Sequence, residues 1–245
     1  DVAAVNRTLL ADLERDPDSR GAVIITPTCR RAQVEKLLAH PQVVGFKPYH
    51  VFARRANTRQ AHLREFVPEL AWELAHEREL VIVLHLVRHA AWADPENQRT
   101  LLCWLERYPR ARVQMAHAAR GFHPANTIRH LRLLVPYQNV WFDSSGICEA
   151  PALVAIMRQC GHRRLLWGSD FPVSEIRGRC VAVGDGFVWL DPESVRWDEL
   201  PYLGTPTLVG LESLRALREA CETVGLRRAQ VRDIFLGNAR RLLGL

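Results

Sequence analysis

Long apolar runs are missing from this sequence: the longest, Leu80 to Val87, is interrupted by His85 and falls far short of the ~20 residues that cross a bilayer. Nothing in it reads as a membrane span. Lysine is almost missing too, since of 33 basic residues only Lys36 and Lys47 are lysine and the rest are arginine. The arginines are scattered, so the formal charge of +6 forms no basic stripe with interleaved aromatics, and a nucleic-acid partner is not expected. No C-x-x-C pair occurs among the six cysteines, and the opening residues do not read as a secretory leader. They read as reduced thiols of a cytoplasmic protein. Neither G-x-G-x-x-G nor G-x-x-x-x-G-K-[ST] is found, which removes the usual sequence sign of a nucleotide site.

What is present is apolar mass, 48% of 245 residues, enough for a sizeable core and incompatible with disorder. Short β-branched or apolar runs recur at Ala22–Thr26, Val43–Lys47, Leu80–Leu86, Arg112–His117, Asn139–Asp143 and Leu165–Ser169. Each is continuous rather than alternating, as parallel strands buried on both faces are. Helical patterns separate them, near 31–39, 61–78, 96–108, 125–136, 149–160 and 208–243, the last divided at Gly225, and a further helix opens the chain from Val2 to Glu14. The order predicts an α/β protein, as an open doubly wound sheet or a closed (β/α)8 barrel. Lys47, His85, His117, Asp143 and Asp170 all fall at or near strand ends, and functional groups converging on one rim from several parallel strands favour the barrel. Only six units can be counted, so the barrel is expected to lack its first two β/α units, and its open strand edges predict self-association. Residues 1–245 read as one such domain, with a long loop at residues 173–206 after the last strand. Its aromatics, Trp189, Trp197 and Tyr202, suggest a lid.

His85 in V-I-V-L-H-L, His117 in R-V-Q-M-A-H and Asp170 in G-S-D-F-P supply imidazole nitrogen and carboxylate oxygen, a donor set suited to a borderline divalent ion with a place left for water. Taken singly, each has a plainer reading: a hydrogen-bonded core histidine, or a turn aspartate before Pro172. A carboxylate beside an activated water also acts as a base. A lysine surviving where arginine has replaced nearly all others singles out Lys47 as a compact amine and a substrate-binding candidate. Arg120, His50 and Arg88 stand at the same rim as substrate-binding candidates, and Arg120 has the fork geometry for a carboxylate.

These residues resemble the amidohydrolase-related branch of the metal-dependent amidohydrolase superfamily. The likeness rests on G-F-K-P at Gly45–Pro48, the His85 strand, A-H-A-A-R-G-F at Ala116–Phe122, W-G-S-D-F-P at Trp167–Pro172 and F-L-G-N-A-R-R-L-L at Phe235–Leu243, and it covers about 200 residues. It implies a (β/α)8 barrel of the metal-dependent hydrolase type in which His85 and His117 match the metal-binding histidines of the fifth and sixth strands and Asp170 the aspartate of the eighth. Zinc is the implied metal, with manganese as the alternative. The H-x-H pair of the family's first strand has no counterpart in the chain. The implied reaction is attack of metal-activated water on an amide or lactone carbonyl of a small anionic substrate, with Asp170 as base. A non-oxidative decarboxylase and a catalytically silent barrel are the alternatives.

Overall fold

In the computed structural model, which describes residues 1–199 and 206–245, all six predicted strands form and pair in chain order in one parallel sheet. They are β1 (Gly21–Ile25), β2 (Val43–Pro48), β3 (Val81–Leu84), β4 (Arg112–Met115), β5 (Val140–Asp143) and β6 (Leu165–Leu166). Register is fixed by pairs such as Ile24 with Lys47, Ile82 with Val113 and Met115 with Phe142. The β-branched and aromatic residues that favour strands, Val23, Ile25, Phe46, Ile82, Val113 and Phe142, are all buried, as a sheet covered on both faces requires. Among the described residues, β1 and β6 do not pair with each other, so the sheet has two edges.

Close approach of β2 to β3 depends on one glycine. A Cβ at Gly45 would stand 2.2 Å from the Val81 carbonyl oxygen, so no other residue fits there without moving a strand. Helices cover the sheet, principally Val2–Arg15, Arg31–Leu38, Glu69–Arg78, Pro95–Arg107, Pro151–Gln159 and Val209–Val224. Trp72 and Trp104 stack at 5.0 Å between two of them and bury both indoles. Asp94 starts the helix Pro95–Arg107 by accepting from the Glu96 and Asn97 amides, with Pro95 preset at the first helical position. Gly225, left-handed at φ 74°, ends the helix Val209–Val224.

Several boundaries differ from the sequence expectation. The segment 61–78 is two helices, Leu63–Phe66 and Glu69–Arg78, because Pro68 withholds an amide from a continuous ladder. The segment 208–243 divides at Gly225 as expected, and the part after it is further interrupted by a π-helical turn, Asp233–Gly237. The region read as a loop at 173–206 contains an antiparallel hairpin, β7 (Arg179–Val183) and β8 (Gly186–Leu190), closed by Gly184 and Asp185. Gly184 takes φ 60°, as a two-residue hairpin turn demands. Tyr202 lies outside the described residues. All six cysteines are free thiols, and no helix is long and apolar enough to cross a membrane, among the described residues.

Candidate functional site

Beyond the C-terminal ends of the strands a cavity of about 470 Å³ brings together His50, His85, His117, Arg120 and Asp170. A larger hollow of about 660 Å³, between Val2–Arg15 and Arg31–Leu38, has no histidine or carboxylate in its lining and gathers none of the expected donors. One wall of the smaller cavity is aromatic. Phe122 stacks on His117 at 5.2 Å and meets Phe187 and Trp189 of the hairpin at 5.0 and 5.4 Å. The hairpin tip is held by His123 Nε2 at 3.1 Å from the Gly184 carbonyl oxygen and by His89 Nε2 at 3.6 Å from Asp185.

The donors sit past the strands rather than on them. His85 follows β3 directly, its ring 4.9 Å from that of His117. Its pKa is pushed down to about 2, first by burial and then by the positive field of His117, Lys47, Arg120 and His50. The imidazole is therefore neutral and keeps a lone pair.

His117 lies two residues past β4, in a turn where four successive non-glycine residues, His117 to Arg120, take φ of 55°, 51°, 60° and 60°. Left-handed backbone of this kind is strained in L-residues and is held by its surroundings. Here the Gly121 amide donates to the His117 carbonyl at 2.6 Å and Thr127 Oγ1 to the Ala118 carbonyl at 2.6 Å. Ala118 and Ala119 are fully buried. Asp170 is left-handed as well, φ 59°, with Oδ2 3.9 Å from His117 Nδ1. Gly146 clears room beside it, since a Cβ there would come within 3.2 Å of that oxygen.

Arg120 turns its guanidinium over the Phe187 ring at 5.3 Å and donates through Nη1 to the Val87 and Arg88 carbonyls. It forms no ion pair with a described residue, its Nε has no partner, and burial lowers its pKa. His50 stacks on Tyr49 and accepts or donates at Thr58 Oγ1, 3.1 Å away; burial, then Arg120 and Arg59, lower its pKa. Lys47 is half-buried with its ammonium 5.7 Å from the Tyr49 ring, outside the cavity lining. Its pKa is lowered by burial, against the raising pull of Asp143 and Asp170.

Arg88 is not brought to the cavity. Its Nε donates to Asp94 Oδ2 at 2.7 Å and its Nη1 lies 2.6 Å from His62 Nδ1, so it braces the loop that starts the next helix. Sequence reasoning also passed over Phe122, Phe187 and Arg59 as cavity residues. The signal for Phe187 was available in V-A-V-G-D-G-F-V-W, two alternating runs around a glycine-bearing turn.

The donors fit a divalent ion in kind: two imidazoles and a carboxylate, with His85 and Asp170 making no side-chain hydrogen bond to a described residue. In place they stand apart, since no three His, Cys, Asp or Glu side chains among the described residues gather as a metal site.

A family model described as amidohydrolase matches residues 2–245. Over 127 residues the chain is 32% identical to an L-fucono-1,5-lactonase from Burkholderia ambifaria, a match spanning 45% of this chain and 43% of that protein. The match therefore covers less than half the length of its curated relative. An amidohydrolase from Burkholderia multivorans, solved with bound HEPES, is 15% identical with a TM-score of 0.63, covering 98% of this chain and 79% of its own. The zinc-bound form of that protein gives 0.61 over 98% and 78%, again at 15% identity. A 2,6-dihydroxybenzoate decarboxylase bound to 2,6-dihydroxybenzoate is 13% identical, with a TM-score of 0.61 over 100% of this chain and 76% of its own. At these identities the structural likeness shows the fold alone: α/β, of the amidohydrolase barrel type.

Proposed function

The chain belongs to the amidohydrolase family, and from that premise we propose that it is a metal-dependent hydrolase opening a small anionic lactone or amide. The carrying observation is the cavity that joins two imidazoles, that of His85 held neutral, and a carboxylate to an unpaired arginine under an aromatic wall. His85, His117 and Asp170 would hold the ion, zinc in preference to manganese because imidazole ligands predominate. When bound, such an ion supplies Lewis acidity, which lowers the pKa of water and polarises a carbonyl.

The remaining steps belong to the protein. Asp170 takes a proton from the attacking water at a carboxylate oxygen and returns it to the departing alkoxide or amine. Arg120 binds the substrate's anionic group through the guanidinium edge not used by Val87 and Arg88. His50, with burial and nearby cations favouring its neutral form, offers a hydrogen bond at the rim, and Lys47 adds positive field beneath. Phe187 and Trp189 exclude water over the reacting carbon, which makes the hairpin a lid within a single domain. Free thiols and the lack of a basic stripe fit a cytoplasmic enzyme of small molecules, and the two strand edges fit a self-associating chain.

The test supplies zinc or manganese and follows proton release from a panel of 1,5-lactones and N-acyl amino acids, beside carbon dioxide release from hydroxybenzoates. Hydrolytic product supports the proposal. Carbon dioxide alone would make the chain a decarboxylase, and absence of both products on metal-loaded protein would leave a silent barrel.

A further inference from the structure

Asp143, the last residue of β5, is a buried carboxylate without a salt bridge among the described residues, yet it accepts four hydrogen bonds. Its Oδ1 takes the His117 amide at 2.9 Å, the Ser145 amide at 3.1 Å and the Ser145 hydroxyl at 2.5 Å; its Oδ2 takes Gln114 Nε2 at 2.7 Å. All four partners donate, so Asp143 acts purely as an acceptor. The Ser145 hydroxyl proton is thereby committed to Asp143, and its oxygen is left to accept. His117 Nδ1 stands 2.8 Å from that oxygen and 2.9 Å from the Ser145 carbonyl oxygen. A carbonyl oxygen can only accept, so Nδ1 carries the proton and the neutral ring keeps its lone pair on Nε2.

We infer that Asp143 and Ser145 are positioning residues that fix His117 as the Nδ1–H tautomer and anchor the left-handed turn carrying it, so that Nε2 is presented as a metal ligand. The inference rests on the reading of His117 as a ligand, but the tautomer stands without it. Asp143 holds the backbone of the turn through the His117 amide and the ring through Ser145, and Gln114 of β4 ties this carboxylate to the neighbouring strand. Outer-shell partners of this sort change metal affinity by about 10- to 100-fold when removed.

The experiment records 15N spectra of histidine-labelled, metal-free protein at pH 8, with His117 assigned through His117→Gln, and zinc affinity by competition with a chelator. In the unaltered chain His117 should show a protonated Nδ1 and a bare Nε2. Asp143→Ala should mix the tautomers and weaken zinc about 10-fold or more. Ser145→Ala, which keeps the carbonyl acceptor and loses the relay, should lie between. Asp143→Asn retains an oxygen for the three donors at Oδ1 and should stay within about threefold of the unaltered chain. A residue that only packed the turn would lower melting temperature in Asp143→Ala and leave tautomer and zinc affinity as they were. That result, or an Nε2–H tautomer in the unaltered chain, overturns the inference. Should Asp143→Ala fail to fold, the unaltered spectrum and Ser145→Ala decide it. A fixed Nδ1–H tautomer without zinc binding would sink the ligand reading of the site and leave the positioning intact.

Discussion

Asp170→Asn separates chemistry from folding unusually well at this site. The residue is left-handed, φ 59°, a conformation that asparagine tolerates as readily as aspartate. Its carboxylate accepts no hydrogen bond from a described side chain, and the nearest imidazole nitrogen, His117 Nδ1 at 3.9 Å, already gives its proton to Ser145. Replacing an oxygen by an amide nitrogen should therefore change stability by no more than about 0.5 kcal/mol, the range of substitutions that break no buried contact. A positioned general base contributes about 10²- to 10⁴-fold, which is roughly 3–5 kcal/mol of transition-state stabilisation. The assay pairs urea melts with initial rates on whichever carbonyl substrate the chain turns over, with bound metal measured in the same samples. Matching melts and a rate loss of at least about 100-fold at equal metal content are expected. A rate above a tenth of the original at equal metal content refutes the base; a rate restored by excess zinc makes Asp170 a ligand only.

His85→Ala and His117→Ala should each lower bound zinc per chain in elemental analysis, and unchanged zinc in both would return these rings to the role of cavity wall. Gly45→Ala drives a methyl carbon to 2.2 Å from the Val81 carbonyl oxygen, and overpacking of this kind should cost about 1–3 kcal/mol or more in denaturant melts. A melt unchanged by it would mean that β2 and β3 can part freely. Arg120→Ala should raise KM for anionic substrates about 10-fold or more while Arg88→Ala leaves KM alone and loses about 1–2 kcal/mol of stability with its Asp94 pair. Equal KM effects in the two variants would contradict the distinction between a cavity arginine and a loop brace.

The strands were legible because burial on both faces writes itself as continuous β-branched and apolar runs, and all six formed where Val23, Phe46, Ile82, Val113, Phe142 and Leu165 predicted them. Their polar ends were less so. A-H-A-A-R carries helix-favouring alanines, yet tertiary contacts to Asp143 and Thr127 force it left-handed, and no local propensity announces that. Arg88 and Arg120 look alike in sequence. What parts them is Asp94, whose place before Pro95 marks a helix start that draws Arg88 toward it. The hairpin was obscured by the length of the segment containing it, although V-G-D-G is a turn signal when the flanking alternation is weighed.

The left-handed turn bears on why the site lies where it does. Four L-residues in that conformation cost about 1–2 kcal/mol each, roughly 4–8 kcal/mol in all. The His117 amide on a carboxylate contributes about 1.5–3 kcal/mol, and the bonds from Thr127 and Gly121 about 0.5–1.5 kcal/mol each, so three contacts offset most of the strain. Packing of stability alone would be served as well by glycines and a relaxed loop after β4. The chain instead spends a buried aspartate, a serine and a threonine to hold an imidazole at one angle over the cavity, facing His85 at 4.9 Å. Strain over-determined from three sides is what the proposed positioning of His117 requires.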